Sequence, residues 1–156
     1  MGVVVNNTVL SNFAKVQKLN LLVKTLRTIY ITQEVLNEYN EGVKKNKLPP
    51  LTINVKIIRL NEEEKQLCDF LSTRLGLGEA SSIAAAVKRK LKLLTDDLDA
   101  RKIAKRLGVP VSGTIGVLAL AVKKHYISLK EGNDILKNMI SHGFFSPIKK
   151  LEEVLQ

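Results

Sequence analysis

Hydrophobic and polar positions fall into short blocks along the chain, and the blocks differ in period. Val3 to Val5 is a β-branched run that reads as a strand and ends abruptly in three polar residues, Asn6, Asn7 and Thr8. Val9, Leu10, Phe13 and Ala14 then recur at helical spacing, as do Leu19, Leu21, Leu22 and Leu26. Thr28 to Ile31 predicts a second strand. Thr32 is placed to cap the next helix, with Glu34 in the first turn and Val35, Leu36 and Tyr39 on an apolar stripe. That helix fades into GVKKNKLPP, where Pro49 and Pro50 predict a mobile loop, not a domain boundary.

Further on, Asn54 to Leu60 predicts a short strand or extended edge, and Asn61 with Glu64 forms a capping-box pattern opening a helix to Leu75. Gly76 and Gly78 break the chain before a helix from Glu79 that carries Ile83, Ala84, Ala86 and Val87. The continuous apolar run LKLLT suits a strand buried on both faces. Asp97 to Leu107 reads as a helix with Ala100, Ile103, Ala104 and Leu107 on one face and mostly basic residues on the other. Gly108 ends it. Val109 to Val111 predicts another strand, Gly113 to Lys124 a helix, Ser128 to Ser141 a capped helix, and FFSPIKKLEEVLQ a last short helix. Short apolar strands alternating with helices predict an α/β sandwich with a mainly parallel sheet and no internal repeats.

Length and composition narrow this picture. The 156 residues fit one domain, 1–156, and with no Trp and 4% aromatic residues the core must be aliphatic. No apolar run approaches the roughly 18 residues needed to span a bilayer, and the N-terminus lacks a secretory pattern, so the protein is expected in the cytoplasm, away from membranes. Cys68 is the only cysteine, which excludes an intrachain disulfide and suits a core side chain. His125 and His142 have no metal-ligand pattern around them and are assigned no chemistry. The net charge of +10 makes nucleic acid the leading partner; the competing reading is a lysine-rich solvated surface. Basic residues crowd Lys88 to Arg106, offset there only by Asp96, Asp97 and Asp99.

In parallel sheets ligands collect beyond the carboxyl ends of the strands. The polar residues at those ends are Asn6, Asn7 and Thr8; Thr32, Glu34 and Glu38; Thr95, Asp96, Asp97 and Asp99; and Ser112 and Thr114. Glu79 joins them if the GLGE turn folds back to the same edge. Carboxylates clustered without histidine suit hard divalent cations and metal-assisted phosphodiester hydrolysis, with basic residues nearby for phosphate contacts. Each acid taken singly is more often a helix cap or a solvated charge than a catalytic group.

Read together, the motifs resemble the PIN-domain family, in particular its VapC-like branch with a GEA motif. The family's strand, Asp and PLIALAKL correspond to VVV, Asn6 and VLSNFAKV; its V-x-x-E to Val35 and Glu38; its GEA segment to LGLGEASSIAAAV with Glu79. LLTDDLDARKIAKRLG carries Asp96, Asp97, Ala100 and Arg101 in the family's spacing, and VSGTIGVL supplies Gly113, Thr114 and Gly116. The resemblance implies a three-layer α/β/α domain, acids binding Mg²⁺ or Mn²⁺, cleavage of single-stranded RNA, an antitoxin protein as partner of a toxin, and a homodimer. It makes Glu38, Glu79 and Asp97 the acidic catalytic positions, with Asp96 a further metal candidate, Asp99 less suited, and Thr114 a polar ligand or substrate contact; Arg101, Lys88 and Lys105, from the basic run, are the cations expected to meet the substrate. Asn6 stands where the family places its first aspartate. Such a chain is a ribonuclease in which Asp96 supplies the missing charge, an inactivated form of one, or a noncatalytic module that binds nucleic acid or a protein.

Overall fold

The β-branched and aliphatic runs become five parallel strands, β1 (Val3–Val5), β2 (Ile29–Thr32), β3 (Lys56–Ile58), β4 (Lys92–Leu94) and β5 (Val111–Ser112), in the order β3-β2-β1-β4-β5. The structure is a computed structural model that describes residues 2–155. Its helices are α1 (Asn7–Lys15), α2 (Leu19–Leu26), α3 (Gln33–Lys44), α4 (Glu62–Leu71), α5 (Leu77–Arg89), α6 (Leu98–Arg106), α7 (Thr114–Lys123) and α8 (Leu129–Ser141).

Strand alternation divides the core in two. Val5, Ile29, Ile31 and Leu94 face one layer, packed with buried residues of α1, α2, α3, α7 and α8. Val4, Ile58 and Leu93 face the other, packed with α4, α5 and α6. The result is a three-layer α/β/α sandwich. Because the sheet grows outward from β1 in one direction to β2 and β3, and from β4 to β5 in the other, the strand order reverses between β1 and β4. Connections leaving these two neighbours diverge, which opens a crevice above their carboxyl ends.

Element positions follow the hydrophobic pattern, with shifts at the ends. β5 starts at Val111 because Val109 turns back to bond Ala104 O at 2.9 Å and closes α6. α4 stops at Leu71, four residues before Leu75, in a turn tied by Ser72 Oγ to Cys68 O at 2.8 Å. The segment around Pro49 and Pro50, expected to be mobile, is fastened: the buried Tyr39 donates to Pro49 O at 2.8 Å, and Leu48, Leu51 and Ile53 pack on the core. The last short helix is a 3-10 turn, Leu151–Glu153, anchored by buried Leu151. Cys68 is buried, as expected, and His142 ends α8 with its Nδ1 2.8 Å from Asn138 O. No helix among the described residues is long and apolar enough to cross a membrane.

Candidate functional site

The crevice between β1 and β4 is built on Asn6, which is only 2% exposed and serves as the N-cap of α1. Its Oδ1 accepts the Asn7 N–H at 2.7 Å, which fixes the amide's orientation, so that Nδ2 donates to Thr95 Oγ1 at 3.0 Å. Thr95 Oγ1 also accepts the Asp97 N–H at 3.2 Å. With both lone pairs used, the Thr95 proton points to its remaining neighbour, Thr8 Oγ1, 3.5 Å away. Thr8 Oγ1 in turn accepts the Asp96 N–H at 3.0 Å. The side-chain cap of α1 is therefore Asn6, and Thr8 ties α1 to the end of β4.

Asp96 is fully engaged. Its Oδ1 accepts the Thr114 N–H at 2.8 Å, and its Oδ2 accepts the Thr114 hydroxyl and the Asn12 amide at 3.0 Å. Asn12 also donates to Thr114 Oγ1 at 3.2 Å, closing a triangle over the start of α7. A side chain at Gly113 would strike the Asp96 carboxylate and lie 3.0 Å from both the Arg101 guanidinium and Thr95 O, so only glycine fits there. Asp97 caps α6 through Oδ2, which accepts the Ala100 N–H at 2.8 Å, and Arg101 donates to Thr95 O at 2.9 Å.

A second acidic pair stands at the end of β2. Buried Thr32 caps α3 by accepting the Val35 N–H at 3.1 Å and meets Ser81 Oγ at 2.7 Å, while Ser81 donates to Gly78 O at 2.9 Å. This joint holds the N-terminal turn of α5 against α3, as the folded-back GLGE turn requires. Glu38 from α3 and Glu79 from α5 then face one another. Burial pushes the Glu38 carboxyl above its ordinary range, the negative charge of Glu79 pushes it further, and the Gly78 backbone amide pulls it partly back. Gly78 is what permits the approach, since a methyl group on it would occupy the position of the Glu38 carboxylate.

The donor chemistry suits a hard cation only in part. The repulsion between Glu38 and Glu79 is what a divalent ion would relieve, and Asp97 has an oxygen not spent on capping. Asp96 and Asn6 are committed to the protein's own hydrogen bonds, and no set of three or more His, Cys, Asp or Glu is gathered to hold an ion among the described residues. Thr114 and Arg101 lie in the crevice. Lys88 and Lys105 do not: they stand nine and eight residues along α5 and α6 from Glu79 and Asp97, roughly 12–14 Å away along the helix axis. Thr95 is among the strand-end polar residues that the pattern offers, but Asn12 is not: it falls on the polar face of α1, opposite Val9, Leu10, Phe13 and Ala14, and nothing in the spacing sets it apart.

Comparison with known proteins fits this architecture. A family model described as PIN domain (DUF3368) matches residues 2–156. A solved structure of VapBC2 from Rickettsia felis, bound to a DNA fragment from its promoter, is similar at 19% identity and a TM-score of 0.51. The similarity covers 72% of this chain and 98% of that one. No curated protein matches the chain.

Proposed function

Because this chain belongs to the PIN-domain family, we propose that its strand-end crevice is the active site of an endoribonuclease of the VapC kind, acting on single-stranded RNA. The observation that carries this is the Glu38–Glu79 pair: two carboxylates brought to the carboxyl end of a parallel sheet by the close approach of Glu38 to Gly78, with Glu38 pushed toward its protonated form first by desolvation and then by the charge of Glu79. Glu38, Glu79 and the free oxygen of Asp97 are the groups that would hold Mg²⁺ or Mn²⁺. When bound, such an ion polarises a phosphoryl oxygen and lowers the pKa of the attacking water. The protein's own part is to position these carboxylates, through Thr32, Ser81 and Gly78 on one side and Thr95 on the other. Arg101, partly buried at the rim and bonded to Thr95 O, is the cation suited to a substrate phosphate there. Thr114 is held too firmly by Asp96 to leave its place, so it shapes the crevice floor. The similarity to VapBC2 supports an antitoxin protein as partner; a homodimer is part of the same proposal and rests on the family reading alone. Toxin–antitoxin function of this kind belongs in the cytoplasm.

A second reading, a PIN-fold module that binds nucleic acid without cutting it, is favoured by Asn6. Its amide donates where a carboxylate would accept, and the hydroxyls of Thr95 and Thr8 are arranged around that donor. The two readings separate in one experiment. RNA incubated with Mn²⁺ or Mg²⁺ and either this chain or Asn6→Asp is cut, at least by the substituted protein, if the nuclease reading holds. Intact RNA with both proteins, together with salt-dependent RNA binding by both, establishes the noncutting module instead.

A further inference from the structure

A concavity of about 270 Å³ lies between the turn that joins α4 to α5 and the helix α6. Arg74 and Leu75 line it from the turn, and Asp99, Lys102, Ile103 and Arg106 from the helix. Leu75 and Ile103 are half-buried against the core and form its floor, while the four charged residues are exposed. Three cations thus meet one acid. None of the four takes part in an ion pair: among the described residues the pairs are Lys44–Glu41, Lys65–Glu62 and Arg89–Glu64. Asp99 follows Asp97 by two residues in the first turn of α6, so the near end of the concavity adjoins the crevice.

Two exposed leucines stand where the acids enter their helices. Leu77 is the first residue of α5, two before Glu79, and Leu98 is the first of α6, directly after Asp97; they are 56% and 73% exposed. Neither belongs to the packed core, so the fold does not require either to be apolar. An isolated exposed leucine is ordinary. Leu98 is not isolated from charge, however. Arg101 and Lys102 follow it by three and four residues, so both lie beside it on the surface of α6. Arg101 turns inward to Thr95 O at 2.9 Å, whereas Lys102 lines the concavity. Leu98 is therefore an apolar step between a cation at the crevice and a cation beyond it.

We propose that this flank holds the stretch of single-stranded RNA that leaves the crevice: a base lies against Leu98, and the phosphates around it meet Arg101 on the crevice side and Lys102 and Arg74 on the other. The inference rests on the endoribonuclease reading of the crevice and adds to it the direction in which the strand leaves. Apolar surface alternating with cations suits a single strand, whose bases are free to lie on the protein, and not a duplex, whose bases are stacked within it. With Asp99 counted, the concavity keeps an excess of positive charge, as a polyanion requires.

The test is fluorescence anisotropy with the full chain and a labelled single-stranded RNA of about 12 nucleotides, in metal-free buffer at several salt concentrations. Arg74→Gln/Lys102→Gln should weaken binding roughly fivefold or more and flatten the log–log salt slope by about 1.4, at roughly 0.7 per lost phosphate contact. Lys130→Gln/Lys137→Gln, which removes the same charge from exposed residues of α8 in the other layer, should leave both near the parent's. Leu98→Ser should weaken binding about fivefold with the salt slope unaltered, as loss of an apolar contact requires. All three proteins should melt with the parent and keep its Mn²⁺ affinity, since the exchanged side chains are exposed and lie outside the carboxylate pair. Equal weakening by both double variants, or a Leu98→Ser protein that binds as the parent does, would overturn the proposal. Competition by a polyglutamate peptide as strong as that of unlabelled RNA of equal charge would overturn it too, and would give the concavity to an acidic protein segment. A parent chain that binds no RNA at low salt defeats the nuclease reading and this inference with it. RNA bound by Arg74→Gln/Lys102→Gln with the parent's affinity and slope defeats this inference alone.

Discussion

The Asn6 carboxamide donates to the Thr95 hydroxyl at 3.0 Å across the boundary between β1 and β4, and that single donor sets the direction of every hydroxyl around it. An aspartate has the same shape but can only accept when ionised, so the Thr95 proton would turn from Thr8 to the new carboxylate. The swap needs no backbone movement.

Asn6→Asp is accordingly expected to fold normally while adding a negative charge to the crevice. Mn²⁺ affinity should rise roughly 10–100-fold, by analogy with the cost of disturbing a metal's supporting groups. Calorimetric titration with Mn²⁺ measures it directly. Equal affinity in the two proteins would mean that residue 6 lies outside any ion's reach.

The carboxyl pair makes a prediction about pH. Glu38 is raised in the folded chain, so between the unfolded carboxylate range and its folded value the native state holds more protons. Stability contributed at Glu38 is thus full at acid pH and declines as pH rises through that window. Cation binding has the opposite slope, strengthening as Glu38 loses its proton. Replacing Glu79 with Gln removes the neighbouring charge and should lower the Glu38 value; carbon-detected NMR titration of the side-chain carboxyl reads this. An unmoved Glu38 titration would show that burial alone raises it.

Gly78→Ala offers a separation of fold from site. The added methyl group collides with the end of a flexible glutamate side chain and not with backbone, and alanine favours a helix by about 1 kcal/mol over glycine. The melting temperature should therefore hold or rise. Glu38 must swing away, however, and Mn²⁺ binding should fall with it. A protein that melts far lower would place Gly78 in the packing instead.

Asp96 is expected to act through structure. Its carboxylate accepts from Thr114 twice and from Asn12 once, so Asp96→Ala should cost about 2–3 kcal/mol in urea unfolding. Asn12→Ala, which breaks one side of the triangle, should cost about 1 kcal/mol and leave Mn²⁺ affinity nearly unchanged. A loss of ion binding in Asn12→Ala without loss of stability would reassign this network to the metal.

The fully buried Glu64 accepts two bonds from Arg89, at 2.7 and 3.0 Å, and clamps the start of α4 to the end of α5. The hydrogen bonds from Arg89 hold the Glu64 carboxyl below its usual range, so this contribution is present above the unfolded carboxylate value and is lost as pH falls through the lowered one. Since Arg89 is 38% exposed, Arg89→Ala should cost about 2 kcal/mol, less than breaking a fully buried pair. Acid unfolding of the two proteins should converge at low pH, where Glu64 is protonated in both.

Hydrophobic period alone determined much of this protein. Val4 and Val5, or Leu93 and Leu94, must face opposite layers because strand side chains alternate, and Asn61, Thr32 and Ser128 begin helices because their side chains satisfy free amides. The acids at the strand ends followed from the same reading, since parallel strands end together. Which of those acids meet was decided by tertiary structure. Glu38 and Glu79 are far apart in sequence and are joined by the Thr32–Ser81 contact and the space left by Gly78. Asp96 and Asp97 are adjacent, yet one is consumed by Thr114 and Asn12 while the other caps a helix. Lys88 and Lys105 belong in sequence to the basic run that also holds Asp96, Asp97 and Asp99. A helix carries its ends to opposite edges of the sheet, and only the folded chain shows that the cations and the carboxylates stand apart.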